Sequence, residues 1–206
     1  MRAPTLHPAA APLSLPEVLQ LHQYQYDGSH SNPNECALCA MTTLTTIAAR
    51  RSGQPGFSLA AAQLGRFLDR IPFRFPRFPA WFPGPGGATH PLAALWGLRA
   101  YARKLRKDGL SFPWRPVLRT RQTPDDLRAA LAVGQPTMIY GMGSTGIPHA
   151  VIPLEYTAPH WLVLDPGFPR EQNPKRWSDE QLLAWWKNFA FIYPNGTMLT
   201  LEAVNE

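Results

Sequence analysis

The sequence of 206 residues contains only two cysteines, Cys36 and Cys39, which stand three positions apart. This scarcity excludes the disulfide framework that staples small secreted domains. No stretch approaches the run of about 20 apolar residues that spans a membrane. The first residues are broken by proline and lack the continuous apolar core of a signal peptide. We therefore expect a cytoplasmic protein without a membrane span.

The chain also has few local clusters of charge of one sign. The 20 basic and 14 acidic residues give a net charge of +6, and the basic residues are scattered apart from a cluster at 103–107. That cluster falls at a predicted helix end, where cations are favoured by the helix dipole. We therefore expect no nucleic-acid partner, and the sequence does not indicate an oligomeric state.

Length and composition predict one globular domain. A Pro/Ala-rich stretch over residues 1–14 is predicted to be a flexible arm, followed by a single domain over 15–206. The 23 prolines and 15 glycines indicate long ordered loops. Helices are predicted at about 15–21, 34–51, 58–70, 89–107, 123–133 and 178–186. Strands are predicted at 117–120, 137–141, 149–154, 160–165, 189–193 and 198–203. Helices early and strands late favour an α+β fold, with helices packed on an antiparallel sheet.

The most informative pair of residues is His149 and Asp165. They stand at the outer ends of two short apolar runs, 149–154 and 160–165, around the connection 155–159. Symmetric pairing of these runs would place His149 opposite Asp165, with Cβ atoms about 5 Å apart. A carboxylate there would orient the imidazole as a general base. Pro153 interrupts the first run, which implies an edge strand or a bulge.

Cys36 is the candidate nucleophile. With Asn34 as the predicted N-cap, it lies in the first helical turn, where the helix dipole favours the thiolate, although the neighbouring Glu35 opposes this. Cys39 lies one turn deeper, where a free cysteine behaves as a small hydrophobic residue. A cysteine at a helix start, followed by a histidine and an acid on paired strands, fits the logic of a catalytic triad.

Four stretches of the sequence resemble a known family. They are QYDGSHSNPNECALCAMTTL, TPDDLRAALAVGQPTMIYG, HAVIPLEYTAPHWLVLDPG and WSDEQLLAWW. Together they resemble the papain-like cysteine peptidases of the bacteriocin-processing, double-glycine group, and in particular their stand-alone peptidase-like relatives. The resemblance implies a papain-like fold whose central helix begins with the catalytic cysteine. It also implies Cys36 as nucleophile, His149 as base, Asp165 as orienting acid and Gln25 as oxyanion donor, with Gln23 an alternative for the last role.

The resemblance further implies a peptide or protein substrate and no metal or organic cofactor. The family usually has Gly, often followed by Pro, after its cysteine, whereas Ala37 and Leu38 stand here. We expect Ala37 to border the bound carbonyl and to narrow its approach. The aromatic and proline-rich loop at 72–87 is interpreted either as a cover for the domain or as a wall of the substrate groove. In the second interpretation Trp81 and Phe82 contact the substrate.

Other functions remain compatible with the same residues. A catalytically silent papain-like module that binds a peptide or a partner protein is one. A CxxC redox pair formed by Cys36 and Cys39 is another, although a polar loop rather than a buried strand precedes the motif. A zinc site would combine both cysteines with His30 or His149.

Overall fold

The computed structural model describes residues 13–27, 36–68, 70, 89–142, 146, 148–187 and 194–204. Its described helices are α1 (Leu15–Gln20), α2 (Cys36–Arg51), α3 (Ala61–Leu68), α4 (Pro91–Lys107), α5 (Pro124–Ala132), α6 (Asp179–Lys187) and a short 3-10 helix (Arg170–Gln172). Its described strands are β1 (Trp114–Arg119), β2 (Thr137–Met142), β3 (Pro148–Thr157), β4 (His160–Leu164), β5 (Lys175–Ser178) and β6 (Met198–Ala203).

The strands form one antiparallel sheet in the order β1-β6-β2-β3-β4-β5. Helix α2 packs against β3 and β2 and is buried from residue 36 to residue 49, so it is the central helix of the domain. Helices α5 and α6 pack on a second group of sheet residues that includes Trp161, Val163 and Met198. The predicted α+β class, with helices on an antiparallel sheet, is confirmed.

Local capping explains why several helices begin where they do. At α5 the Thr123 hydroxyl accepts from the Asp126 N–H, and the Asp126 carboxylate accepts from the Thr123 N–H. This reciprocal pair satisfies two otherwise unpaired donors at the helix start. Helix α4 begins two residues later than predicted, because His90 is its cap and accepts from the Leu92 N–H through Nδ1 at 3.2 Å.

Helix α3 begins at Ala61 rather than at the predicted cap Ser58. The Ala61 N–H donates to Oε1 of Gln23 at 3.4 Å, so a side chain distant in sequence caps this helix. No pattern near Ser58 encodes that contact. Two further predicted features, the cap at Asn34 and the strand at 189–193, lie outside the described residues.

The hairpin of β3 and β4 is longer than predicted, and its register differs. The predicted loop at 155–159 is wrong, since β3 continues to Thr157, which pairs with His160 around a two-residue connection. A bulge shifts the register between Pro153 and Glu155, so that Ile152 lies opposite Leu164. The interruption at Pro153 coincides with this bulge, and Pro153 pairs with Val163 of β4, whereas the pairing of β3 with β2 covers Pro148 to Val151.

Within the described ranges no helix combines the length and the apolar character that crossing a membrane requires.

Candidate active site

His149 and Asp165 meet at the open end of the β3–β4 hairpin. Nε2 of His149 lies 2.6 Å from Oδ1 of Asp165. The sequence predicted that these two residues lie directly opposite each other, but they do not. The observed register pairs Ile152 with Leu164, and one further step along both strands places Val151 opposite Asp165. Residues two apart on a strand share a face, so the imidazole and the carboxylate meet across a diagonal pair. The predicted contact is thus present, whereas the predicted register is wrong.

The carboxylate of Asp165 is held by the turn that follows β4. Its Oδ1 accepts from the Gly167 N–H at 2.8 Å as well as from His149. The backbone N–H of Asp165 donates to Oδ1 of Asn173 at 2.8 Å. Asp165 is buried, and these contacts satisfy it inside the protein. An acid fixed in this way sets both the tautomer and the direction of the imidazole ring.

Cys36 reaches the same imidazole from the other side of the site. It is the first residue of α2 and is 6% exposed, and its thiol is near enough to His149 to help raise the pKa of the imidazole. Since Nε2 bonds Asp165, Nδ1 is the ring nitrogen that remains to face the sulfur. The first turn of a helix is also where the positive end of the dipole stabilises a thiolate. The structure therefore brings together the three side chains that the sequence singled out.

The electrostatics of this cluster favour a charged imidazole. Burial alone lowers the pKa of His149, since its side chain is only 22% exposed. The hydrogen bonds with Asp165 and Cys36, together with their negative charges, outweigh burial and raise the pKa of His149 to about 10. At neutral pH the ring is therefore an imidazolium that lies near the side chains of Asp165 and Cys36. Such a ring can hold a thiolate ready and later release a proton.

Gln25 lies beside the acid turn and is buried. Its backbone N–H donates to the carbonyl of Pro166 at 3.0 Å, one residue after Asp165. Gln23, the alternative oxyanion donor, instead uses Oε1 to cap α3 at Ala61. The two glutamines therefore have different surroundings, and Gln25 is the one tied to the site.

The expected substrate-contacting residues differ in their placement. Ala37 is 2% exposed and packs in the core cluster of α2, so its side chain is not at an open surface. Trp81 and Phe82 lie outside the described residues. Asn173 and Gly167, which the sequence analysis did not single out, both touch Asp165. The only sequence signal for Gly167 is its place in the run Asp-Pro-Gly, and Asn173 carries none.

The structure also bears on the redox and zinc interpretations of Cys36 and Cys39. Cys36 and Cys39 are both free thiols, and Cys39 is 0% exposed. Among the residues that the structure describes, no group of three or more His, Cys, Asp or Glu side chains has an arrangement suited to a metal ion. His30, which the zinc interpretation would use, lies outside those residues.

Comparison with solved structures identifies the fold. A protein described as a C39-like peptidase from Bacillus anthracis matches with a TM-score of 0.61 and 12% identity, covering 91% of this chain and 97% of that one. The peptidase domain of Streptococcus ComA, a bifunctional ABC transporter involved in a quorum-sensing pathway, matches with a TM-score of 0.50 and 12% identity, covering 84% and 93%. No protein-family model and no curated protein matches the sequence. The chain therefore has the papain-like fold of the C39 double-glycine peptidases, as its resemblance to that group implied.

Proposed function

We propose that this protein is a cysteine peptidase or amidohydrolase that cleaves a peptide or amide bond with Cys36, His149 and Asp165. The observation that carries the proposal is the position of the His149 imidazole, which bonds the Asp165 carboxylate at 2.6 Å and lies near enough to the Cys36 thiol for that thiol to help raise its pKa. Nucleophile, base and orienting acid in that relation are the parts that acyl transfer through a thiol requires.

The first half of the reaction forms a thioester. The sulfur of Cys36 attacks the carbonyl carbon of the scissile bond, and the carbonyl oxygen takes the electron pair as an oxyanion. The His149 imidazolium then gives its proton to the amide nitrogen, the C–N bond breaks, and the amine leaves. Asp165 keeps the ring aligned throughout, so the same nitrogen that faces the sulfur also faces the leaving group.

The second half hydrolyses the thioester. His149, now neutral, takes a proton from water as the water oxygen attacks the acyl carbon. The C–S bond then breaks, the acid product leaves, and Cys36 is released as a thiolate beside the imidazolium that formed when His149 took the proton from water. We assign oxyanion stabilisation in both halves to the Cys36 N–H, at the start of α2, and to the side chain of Gln25. The tie of Gln25 to Pro166 supports this choice over Gln23.

A peptide or a protein is the substrate class that we favour. Both solved neighbours are described as peptidases, and one of them is the peptidase domain of a transporter.

Thiol reactivity tests the site without a known substrate. We expect iodoacetamide to alkylate Cys36 rapidly at neutral pH, because the imidazolium holds it as a thiolate. His149→Ala should slow this reaction by about tenfold or more. Cys39, which is 0% exposed, is an internal control in the same chain and should react slowly in both proteins. Peptide mapping by mass spectrometry measures both rates. Equal and slow labelling of the two cysteines would contradict the proposal.

Cleavage of a mixed peptide library tests the activity itself. Products should appear with the wild-type protein and with Cys39→Ser, and they should disappear with Cys36→Ser. Liquid chromatography with mass spectrometry detects the new termini. Saturable peptide binding without any new termini would instead favour the catalytically silent module. Rapid formation of a Cys36–Cys39 disulfide with a measurable potential would favour the redox interpretation.

A further inference from the structure

Asn173 lies behind the triad and does not touch His149 or Cys36. Its side chain is buried, and both ends of its amide are used. Oδ1 accepts from the Asp165 N–H at 2.8 Å. Nδ2 lies 3.1 Å from the Asp165 carbonyl, 3.0 Å from that of Phe168 and 3.1 Å from that of Pro169. The turn over 165–169 is therefore wrapped around one primary amide.

We propose that Asn173 is a positioning residue, which aims the Asp165 carboxylate at His149 and also fixes the segment that carries Gln25. The inference rests on the proposed function for its catalytic meaning. Its structural content is narrower: one side chain sets the orientation of two others that lie on different parts of the chain.

Asn173 orients the Asp165 carboxylate through the backbone of Asp165. Asn173 holds both the N–H and the carbonyl of Asp165, so the backbone at that residue is fixed on both sides. The carboxylate leaves from that fixed backbone, and the Gly167 N–H holds its Oδ1 at 2.8 Å. Oδ1 is thereby directed at Nε2 of His149. A primary amide is needed because a hydroxyl or a carboxylate cannot both accept once and donate twice in this geometry.

The segment before α2, which carries His22 and Gln25, is bonded to the same turn. His22 is buried, and its Nε2 lies 2.8 Å from the Phe168 carbonyl, which can only accept, and 3.3 Å from Nδ2 of Asn173. Three residues later, the Gln25 N–H donates to the Pro166 carbonyl. Both bonds end on the turn that Asn173 holds. A displacement of this turn therefore moves Gln25 together with Asp165.

Two variants separate hydrogen bonding from packing at this position. Asn173→Ala removes every bond of the side chain. Asn173→Leu keeps a side chain of similar size and shape and adds no charge, but it can neither accept nor donate a hydrogen bond. If the amide bonds matter, both variants should lower kcat for peptide cleavage by about 100-fold with little change in KM. If Asn173 only fills space, Asn173→Leu should resemble the wild type.

The pKa of His149 gives a readout that does not depend on any substrate. It can be followed by NMR from the ring Cε1 signal, assigned among the six histidines by comparison with His149→Ala. The wild-type value should lie near 10. It should fall by about one pH unit or more in both Asn173 variants, as the charge-assisted bond to Asp165 loosens. Thr137→Val, which removes a buried hydroxyl bond to the Gln135 carbonyl elsewhere on β2, should leave it unchanged.

His22→Phe tests the link to Gln25 separately. It removes the donor to Phe168 and a neighbour of Asn173 Nδ2, but it changes neither of the groups with which Asn173 bonds Asp165. We expect kcat to fall by about tenfold, as a displaced oxyanion donor loses part of its effect, while the pKa of His149 stays at its wild-type value. A matching fall in the pKa of His149 would show that this variant disturbs Asp165 as well as Gln25, and it would overturn the separate link between His22 and Gln25.

The results distinguish this inference from the proposed function. An unchanged pKa of His149 and an unchanged kcat in both Asn173 variants would overturn the inference while leaving the peptidase intact. A wild-type protein that cleaves nothing would overturn the peptidase, whereas the titration would still test Asn173. Should neither variant fold, hydrogen exchange of the wild type decides. The Asp165 N–H must be strongly protected if Asn173 holds it, and rapid exchange would overturn the inference.

Discussion

Gly167 borders the triad closely enough that a single methyl group should disturb it. A Cβ added at this residue would lie 3.1 Å from Oδ1 of Asp165, and 3.5 and 3.6 Å from Cε1 and Nε2 of His149. Ordinary van der Waals contact begins at 3.4 Å, so only the carboxylate is crowded. The backbone of Gly167 is not in the left-handed region, and alanine can therefore adopt its conformation without strain.

The size of the effect follows from these distances. Oδ1 must retreat by about 0.3 Å, the difference between 3.1 and 3.4 Å. If a misplacement of 1 Å costs about 100-fold in rate and the loss grows exponentially with displacement, then 0.3 Å costs about fourfold. The bond between His149 and Asp165 lengthens or bends by the same amount, so the pKa of His149 should fall measurably from its raised value.

Stability should move in the opposite direction to activity. Replacing glycine with alanine in a permitted conformation stabilises a protein by about 0.4–1 kcal/mol, because the unfolded chain loses freedom. Crowding at Asp165 offsets part of that gain. Gly56→Ala is the matched control, since Gly56 has no positive φ and its added Cβ would meet nothing within 4 Å. It gains the same entropic term and leaves the triad untouched.

Steady-state cleavage and urea unfolding of Gly167→Ala, Gly56→Ala and the wild type measure both quantities. We expect a kcat about one quarter of wild type for Gly167→Ala, with a free energy of unfolding above that of the wild type by less than about 1 kcal/mol. Full activity in Gly167→Ala would refute the claim that the position of the Asp165 carboxylate limits the rate. A global loss of stability would show that the backbone, rather than the carboxylate, had yielded.

Three further predictions concern stability. Asp165→Asn should lower the free energy of unfolding by about 1.5–3 kcal/mol at pH 6, and by little near pH 10, in urea titrations. This pH dependence follows from the pKa of His149, which folding raises from 6.5 to about 10. The stability that results is fully present below about pH 6.5 and is lost as the pH rises through about 10. Gly141→Ala should lower the free energy of unfolding by about 2–3 kcal/mol, since its Cβ would lie 2.4 Å from Cε3 of Trp185. A loss smaller than about 1 kcal/mol would contradict the packing of α6 on β2. Trp161→Phe should cost about 2 kcal/mol by losing the bond from Nε1 to Asp179 at 2.8 Å, whereas an unchanged urea midpoint would mean that this bond adds nothing.

Local signals explain why most of the elements could be predicted. The capping pair of Thr123 and Asp126 lies within one turn, so the start of α5 is written in four residues. The start of α3 is not, because the group that caps it comes from Gln23, which is far away in the sequence. The edge strand β5 was missed for a similar reason. Among the strands that the structure describes, its four residues pair only with β4, and they show no clear alternation of apolar and polar side chains.

The candidate site divides in the same way. Cys36, His149 and Asp165 could be proposed from the sequence because their chemistry is rare and each stands at the end of a regular element. Asn173 could not, since an asparagine in a loop usually serves its own turn. Its importance arises from four backbone groups, in Asp165, Phe168 and Pro169, that reach it only in the folded chain.

The contact between His149 and Asp165 depends on the bulge in β3, and this explains how a wrong register could predict a contact that is present. Near the turn, Thr157 pairs with His160, and continuing that pairing without a bulge would place Ile152 opposite Asp165. His149 lies three residues from Ile152, so the imidazole and the carboxylate would then leave opposite faces of the sheet. The bulge between Pro153 and Glu155 shifts the pairing by one residue, which places Val151 opposite Asp165 and returns both side chains to one face. The predicted register differs from this one by two residues, an even number, and an even shift leaves every side chain on its own face.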